Sequence, residues 1–209
     1  MSTFALDLDR LNGTPLTRDP FEFIIVPGFL KAEAIPALHA DFPKVKRPGS
    51  HPTSTLRIGA TFGRLLAALE GPEMRAAIEK KFSVDLTGRP TMITVRGRCR
   101  AEDGGIHTDS VTKIITALIY FNGRWENAGG RLRLLRNAND IEDYVAEVPP
   151  EEGTLLAFRR SDRSFHGHKS FEGERRAIQL NWVTGPDVVR RELGRHRLSA
   201  WFKSLNPFS

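Results

Sequence analysis

Two histidines, one aspartate and one arginine stand in this sequence at spacings that suit metal chemistry. His107 and Asp109 are two residues apart, so on a β-strand both side chains leave the same face. His166 follows 59 residues later, and Arg175 lies nine residues beyond it on a strand-like run. Two imidazoles and one carboxylate on a rigid sheet form the donor set that holds a non-haem Fe(II) ion on one face and leaves three positions open. An arginine close by offers a planar fork that can meet a carboxylate with two parallel charge-assisted hydrogen bonds. Taken singly these elements are weak. An H-x-D triplet occurs by chance in many proteins, and a lone histidine is more often a structural hydrogen-bonder than a ligand.

The elements that must position these residues change in texture along the chain. Residues 21–26 are aromatic and β-branched and end at Pro27-Gly28, which predicts a short strand. A helix is expected over about 31–42, with Pro36 shifting its start, and the Pro-, Lys- and Ser-rich stretch 43–56 reads as a long loop. Phe62, Leu65, Leu66 and Leu69 form one apolar stripe. Met74, Ala77, Ile78 and Phe82 form another, with Pro72 suited to its first turn. From Thr91 onward strand-like runs take over, at 91–96, 113–121, 131–135, 153–158 and 175–183. Asp103-Gly104-Gly105, Asn122-Gly123, Gly129-Gly130 and Pro149-Pro150 separate them as turns. Many short strands with such turns predict an antiparallel sandwich or barrel with helices packed on it. The expected organisation of residues 1–209 is one domain. Helical support covers about 31–85, a β-core about 91–183, and a C-terminal helix about 187–205 carries Leu198, Trp201, Phe202 and Leu205 on one face.

Composition narrows the setting. At 209 residues, 40% hydrophobic and 27% charged, the chain can bury a sizeable core. Its one cysteine, Cys99, forbids an intramolecular disulfide and favours a reducing compartment. The N-terminus lacks the pattern of a secretory signal, and no run approaches the roughly 20 apolar residues of a membrane helix. The expectation is a cytoplasmic protein without a membrane partner. The net charge of +6 is partly concentrated near the C-terminus. No aromatic-rich basic groove or reader motif accompanies it, so nucleic acid is not the expected partner.

The order of elements is more specific than any one of them. A strand precedes His107-x-Asp109, and a long strand ending in Tyr120-Phe121-Asn122 follows. After it come Gly129-Gly130-Arg131-Leu132, Gly153-Thr154-Leu155-Leu156, His166, and Arg175 through Trp182. Over about residues 91–183 this run resembles the prolyl-4-hydroxylase-like branch of the Fe(II)- and 2-oxoglutarate-dependent dioxygenases. The lead-in Pro27-Gly28-Phe29-Leu30 is similar to that family's as well. The resemblance implies a mainly β fold, a double-stranded β-helix (jelly roll, cupin-like) packed by N-terminal helices. It implies that His107, Asp109 and His166 are the catalytic metal ligands and that Arg175 pairs with the distal carboxylate of 2-oxoglutarate. Tyr120 falls where many relatives place a tyrosine that reaches the same carboxylate; a buried tyrosine tied to backbone is the equal alternative.

By the same resemblance the cofactor is Fe(II) and the co-substrates are 2-oxoglutarate and O2, with ascorbate allowed as an accessory reductant. The implied reaction hydroxylates a C–H bond of a protein side chain such as proline, or of a small metabolite, and releases succinate and CO2. Asp109 argues against a halogenase, since those relatives lack this carboxylate. Some points stay open. His168 would share the face of His166 on a strand, and Arg176 is the alternative to Arg175. Asn181 stands where relatives often carry an aromatic residue. Arg96, Arg98 and Arg100 either turn a positive face to the mouth, favouring an anionic substrate, or line a solvated edge strand. Arg131 and Arg133 share that ambiguity, and Thr94 and Lys113 are given no role. The alternative function is a non-catalytic jelly roll that binds metal and keto acid as a sensor or scaffold.

Overall fold

Two antiparallel sheets lie in the computed structural model, which describes residues 3–191. The chain runs through α1 (Leu8–Gly13), β1 (Phe23–Val26), α2 (Ile35–Ala40) and β2 (Ser50–Pro52). It continues through α3 (Ala60–Leu69), α4 (Pro72–Phe82), β3 (Thr91–Cys99) and β4 (Lys113–Tyr120). The remaining strands are β5 (Leu132–Leu135), β6 (Tyr144–Val148), β7 (Leu155–Arg159), β8 (His166–Gly167) and β9 (Gly173–Val183). The larger sheet has the order β1-β7-β4-β9-β3-β2, and the smaller one β6-β5-β8. This is the expected jelly-roll architecture, mainly β with flanking helices.

Period-two alternation gives the larger sheet two different faces. Ile93 and Val95 of β3, Ile115, Ala117 and Ile119 of β4, and Ile178, Leu180 and Trp182 of β9 join the core under the helices. That core includes Phe62, Leu65 and Leu69 of α3 and Met74, Ile78 and Phe82 of α4, so both helical stripes are buried as their spacing predicts. The intervening residues point the other way. Tyr120 and Ala177 meet Leu132, Leu134, Leu156 and Phe158 in a second cluster, towards the smaller sheet. Closer to the rim the same inner face carries Thr94, Arg96, Thr116, Arg175, Gln179 and Asn181. The fold therefore separates a dry face from a face that carries chemistry.

Several expected boundaries move. The helix expected over 31–42 is a single 3-10 turn at Ala32–Ala34 followed by α2, because Pro36 can occupy only the first turn of an α-helix. The stretch 43–56, read as loop, holds β2, whose Ser50–Pro52 pair with Thr94–Arg96 of β3. β3 thus lies between β2 and β9 and is not an edge strand. β6 was unreadable because its burial is partial, and it pairs with β5. The short α1 was also missed; its Asp7 cap accepts from the Arg10 N–H at 2.9 Å. At the other end residues 186–191 are helical. The rest of the expected C-terminal helix, including Leu198, Trp201, Phe202 and Leu205, lies outside the described residues. Among the described residues no helix is long and apolar enough to cross a membrane.

Candidate metal centre

His107 and His166 are brought together by backbone pairing. They form an isolated antiparallel bridge, with His107 N–H donating to the His166 carbonyl at 3.0 Å and the reverse bond at 2.9 Å. Their ring centroids lie 4.4 Å apart. His166 belongs to β8 and pairs with Leu134, so the smaller sheet supplies one imidazole. The H-x-D segment is not a regular strand, as its spacing suggested. His107 makes one bridge and Asp109 follows in irregular backbone. Asp109 is held by its neighbours instead. Its carbonyl accepts from Arg160 Nε at 3.2 Å, and its side chain from Lys113 and Thr116. One ligand atom from each of His107, Asp109 and His166 lies within 4.8 Å of the others.

The tautomers follow from the partners. His107 Nδ1 sits 2.8 Å from the Gly105 carbonyl and His166 Nδ1 2.9 Å from the Ser164 carbonyl. A carbonyl only accepts, so each Nδ1 carries a proton, and in the neutral ring it is Nε2 that offers a lone pair. Burial pushes the His166 imidazole down to about 4, with the nearby Asp109 carboxylate opposing the shift and His107 adding to it. The ring is neutral near pH 7, as a metal ligand must be. Burial alone would raise the Asp109 carboxyl. The Lys113 ammonium and the hydrogen bonds from Lys113 and Thr116 outweigh it and hold the group below 3.8. The donor set therefore fits a divalent ion: two fixed imidazole lone pairs and one ionised carboxylate.

A cavity of about 210 Å³ opens from this cluster into the space between the sheets, and Arg175, Leu118, Leu132, Ala177 and His168 help to line it. Arg175 is 6% exposed. Its Nε donates to the Gly130 carbonyl at 2.7 Å, while its Nη2 is buried without a partner. The Tyr120 hydroxyl is also buried without a partner. The guanidinium carbon lies 5.4 Å from the Tyr120 ring centroid. Burial raises the Tyr120 phenol above 10.0, opposed by the Arg175 charge, so it remains a proton donor. Two orphaned donors in one dry corner, one of them cationic, fit a carboxylate group, since leaving each unmatched costs about 1–3 kcal/mol.

The remaining sequence candidates separate cleanly. Arg176 leaves the opposite side of β9 and pairs with Glu174 at 3.1 Å, while Arg175 faces the cavity. His168 lines the same cavity but is not in the three-residue cluster. Burial pushes it down to about 4, with the Arg175 charge contributing, and its Nδ1 donates to the Lys169 carbonyl. Gly104 has φ +95°, and a Cβ there would collide with the His168 ring, so the turn before His107 requires glycine. The three arginines of β3 do not form one positive face. A bulge between Arg96 and Arg98 breaks the alternation; Arg96 reaches the cavity and pairs with Asp103 at 2.8 Å, whereas Arg98 and Arg100 are exposed. Arg133 is tied to Glu147 and Glu142, and Arg131 to the Asn127 and Trp125 carbonyls, so neither serves the cavity.

Sequence reasoning left Thr116 and Lys113 without roles. Thr116 Oγ1 lies 2.5 Å from Asp109 Oδ2 and 2.9 Å from the Asn181 amide oxygen, and Asn181 Nδ2 has no partner. The hydroxyl has one proton, which the carboxylate takes. Reversing the Asn181 amide supplies the matching donor and satisfies Nδ2, with the Gln179 amide, whose Nε2 donates to the same Asn181 oxygen at 3.3 Å, reversing alongside it. Asn181 therefore supports Thr116, which supports Asp109. The signal available in the sequence was the inward register shared with Tyr120 and Arg175, at positions 116 and 181.

The family described as the 2OG-Fe(II) oxygenase superfamily matches residues 98–184, the span that holds His107, Asp109, Thr116, Tyr120, His166, Arg175 and Asn181. Those residues of the chain carry the pattern of that superfamily. Enzymes of that superfamily are oxidoreductases that use Fe(II), 2-oxoglutarate and O2, and this chain is an oxygenase of that kind. No curated protein matches its sequence. In fold it is similar to a prolyl-4-hydroxylase of Pseudomonas putida, at 19% identity and a TM-score of 0.55 over 88% of this chain and 95% of that one. The viral collagen prolyl hydroxylase of Paramecium bursaria Chlorella virus-1 gives 14% identity and 0.55 over 78% of this chain and 96% of that one. HygX of Streptomyces hygroscopicus, solved with nickel and 2-oxoglutarate, gives 12% and 0.54 over 78% and 82%.

Proposed function

We propose that this oxygenase hydroxylates a C–H bond of a small molecule or of a protein side chain, with His107, Asp109 and His166 holding Fe(II). One observation carries the assignment. Both Nδ1 atoms donate to main-chain carbonyls, which leaves both Nε2 atoms to serve as ligands beside an ionised carboxylate. Arg175 and Tyr120 would take the distal carboxylate of 2-oxoglutarate, a role supported by their two orphaned donors. Iron, when bound, supplies the oxidising chemistry that couples 2-oxoglutarate breakdown to substrate oxidation.

The chain's own part is positioning and exclusion of water. Gly105 and Ser164 carbonyls lock the imidazoles, and Thr116 and Lys113 orient Asp109. Leu118, Leu132 and Ala177 add apolar surface to the cavity that Arg175 enters, and the guanidinium itself is buried. The same reading treats residues 1–209 as one catalytic domain. It places the protein in the cytoplasm, on the strength of its single cysteine.

Anaerobic addition of Fe(II) and 2-oxoglutarate should produce a weak visible charge-transfer band in the wild type and none in His107→Ala. Air should then release succinate, most strongly with the true substrate in a panel of amino acids, peptides and other metabolites. A band without succinate across the whole panel would favour the sensor reading.

A further inference from the structure

A second cavity, of about 360 Å³, opens on the other side of the ligand cluster and shares Thr94, His107, Asp109, Lys113 and Gln179 with the first. Its own walls include Met92, Thr112, Asn181 and Val188. The volume suits a molecule of metabolite size or one side chain of a peptide. It is the space next to the metal ligands that is left when Arg175 claims the inner one for the co-substrate.

The charges lining the two cavities do not cancel once the site is loaded. Among the described residues they are Arg96, Asp103, Asp109, Lys113 and Arg175. Arg96 is matched by Asp103. Arg175 would be matched by the distal carboxylate of 2-oxoglutarate. The ionised Asp109 and the doubly charged co-substrate together exceed the charge of Fe(II) by one, and Arg175 absorbs that excess. What remains is the ammonium of Lys113, 2.6 Å from Asp109 Oδ1, with its side chain only 16% exposed. Without metal, Asp109 neutralises it. With Asp109 committed to a dication, a part-buried ammonium loses the charge that balanced it, and such a group needs another anion.

We infer that Lys113 anchors an anionic substrate, most simply a carboxylate, in this outer cavity. The inference rests on the metal and co-substrate assignments proposed above and adds the substrate's charge to them. It also relocates the positive face that the arginines of β3 suggested: Arg96 is already paired and Arg98 is exposed, so one lysine carries the recognition. Gln179 and Thr94 on the shared wall can add neutral hydrogen bonds to the same ligand.

The test uses the full chain saturated with Mn(II) and 2-oxoglutarate, without oxygen chemistry. N-acetylated amino acids and their primary amides, matched in skeleton, are titrated and followed by ligand-detected NMR. Wild type should prefer acids over amides by about tenfold or more, the worth of one charge-assisted hydrogen bond. Lys113→Gln should lose that preference and Lys113→Arg should keep most of it, the acid-to-amide ratio being read for each variant at Mn(II) and 2-oxoglutarate raised until that variant is loaded, since Lys113 also steadies Asp109. Equal binding of acids and amides, no binding of any acid, or a preference that survives in Lys113→Gln overturns the inference alone. Failure of the wild type to bind 2-oxoglutarate in the presence of Mn(II) overturns the site assignment, and this inference with it.

Discussion

The two faces of the larger sheet are made by the same three central strands and do opposite work. On the outer face Val95, Ile119, Ile178 and Leu180 are fully buried against α3 and α4. On the inner face, one residue along each strand, Thr94, Thr116, Arg175 and Asn181 are just as well buried but polar. Burial in the first case releases apolar surface from water and stabilises the fold. In the second it strands hydrogen-bonding groups, and three of them, Arg175 Nη2, the Tyr120 hydroxyl and Asn181 Nδ2, have no partner. The outer face supplies the rigidity that lets the inner one hold unsatisfied donors in place.

Substitutions on the two faces should therefore separate stability from function. The largest effect expected is loss of succinate release in His107→Ala, by a factor of about a thousand or more, because metal ligation is removed outright. Its thermal unfolding without metal should stay close to wild type, since His107 is exposed. A large drop in that melting temperature would break the comparison. Leu180→Ala on the outer face should do the reverse, costing about 2–5 kcal/mol in denaturant unfolding. The folded fraction should still bind Mn(II).

Arg175→Gln tests the orphaned donors. It should weaken 2-oxoglutarate binding by about 10- to 100-fold, read by titration of the Mn(II) protein, while metal affinity is retained. Thr116→Val should lower metal affinity by about tenfold through Asp109, and Asn181→Leu should do so more weakly, since Asn181 acts through Thr116. Equal metal affinity in all three proteins would remove the supporting chain.

The smallest effect is on pH dependence. His166 and His168 are pushed down to about 4 in the folded protein, so between that value and about 6.5 the unfolded chain binds more protons. Stability of the metal-free protein should fall as pH drops through that window, by at most about 1.4 kcal/mol per pH unit for each histidine. Melting curves that are flat from pH 7 to pH 4 would show both rings free to protonate in place.

Much of this site was legible because its signals are local or periodic. The alternation Arg175, Ala177, Gln179, Asn181 puts these residues on one face and Arg176 on the other, and the family resemblance favoured Arg175 as the inward one. The stripes of α3 and α4 were equally plain. β2 and β6 were not, because three to five residues with mixed burial carry no period, and only pairing with β3 and β5 defines them. The β3 arginines stayed ambiguous in the sequence for a related reason. A bulge opposite β9 shifts the register between Arg96 and Arg98, and a single strand's sequence does not announce where its partner slips.

The order of residues alone determined that a carboxylate and two imidazoles were present at strand-like spacings, that Arg175, Gln179 and Asn181 share one face of their strand, and that helices would pack on a β-core. The tertiary structure decided that His107 and His166 are bridged partners, that His166 rather than His168 joins the cluster, and that Lys113 stands against Asp109. Those are contacts across 59 residues of chain or around an irregular turn. Side-chain period is a property of one strand, whereas convergence depends on how two sheets are set against each other.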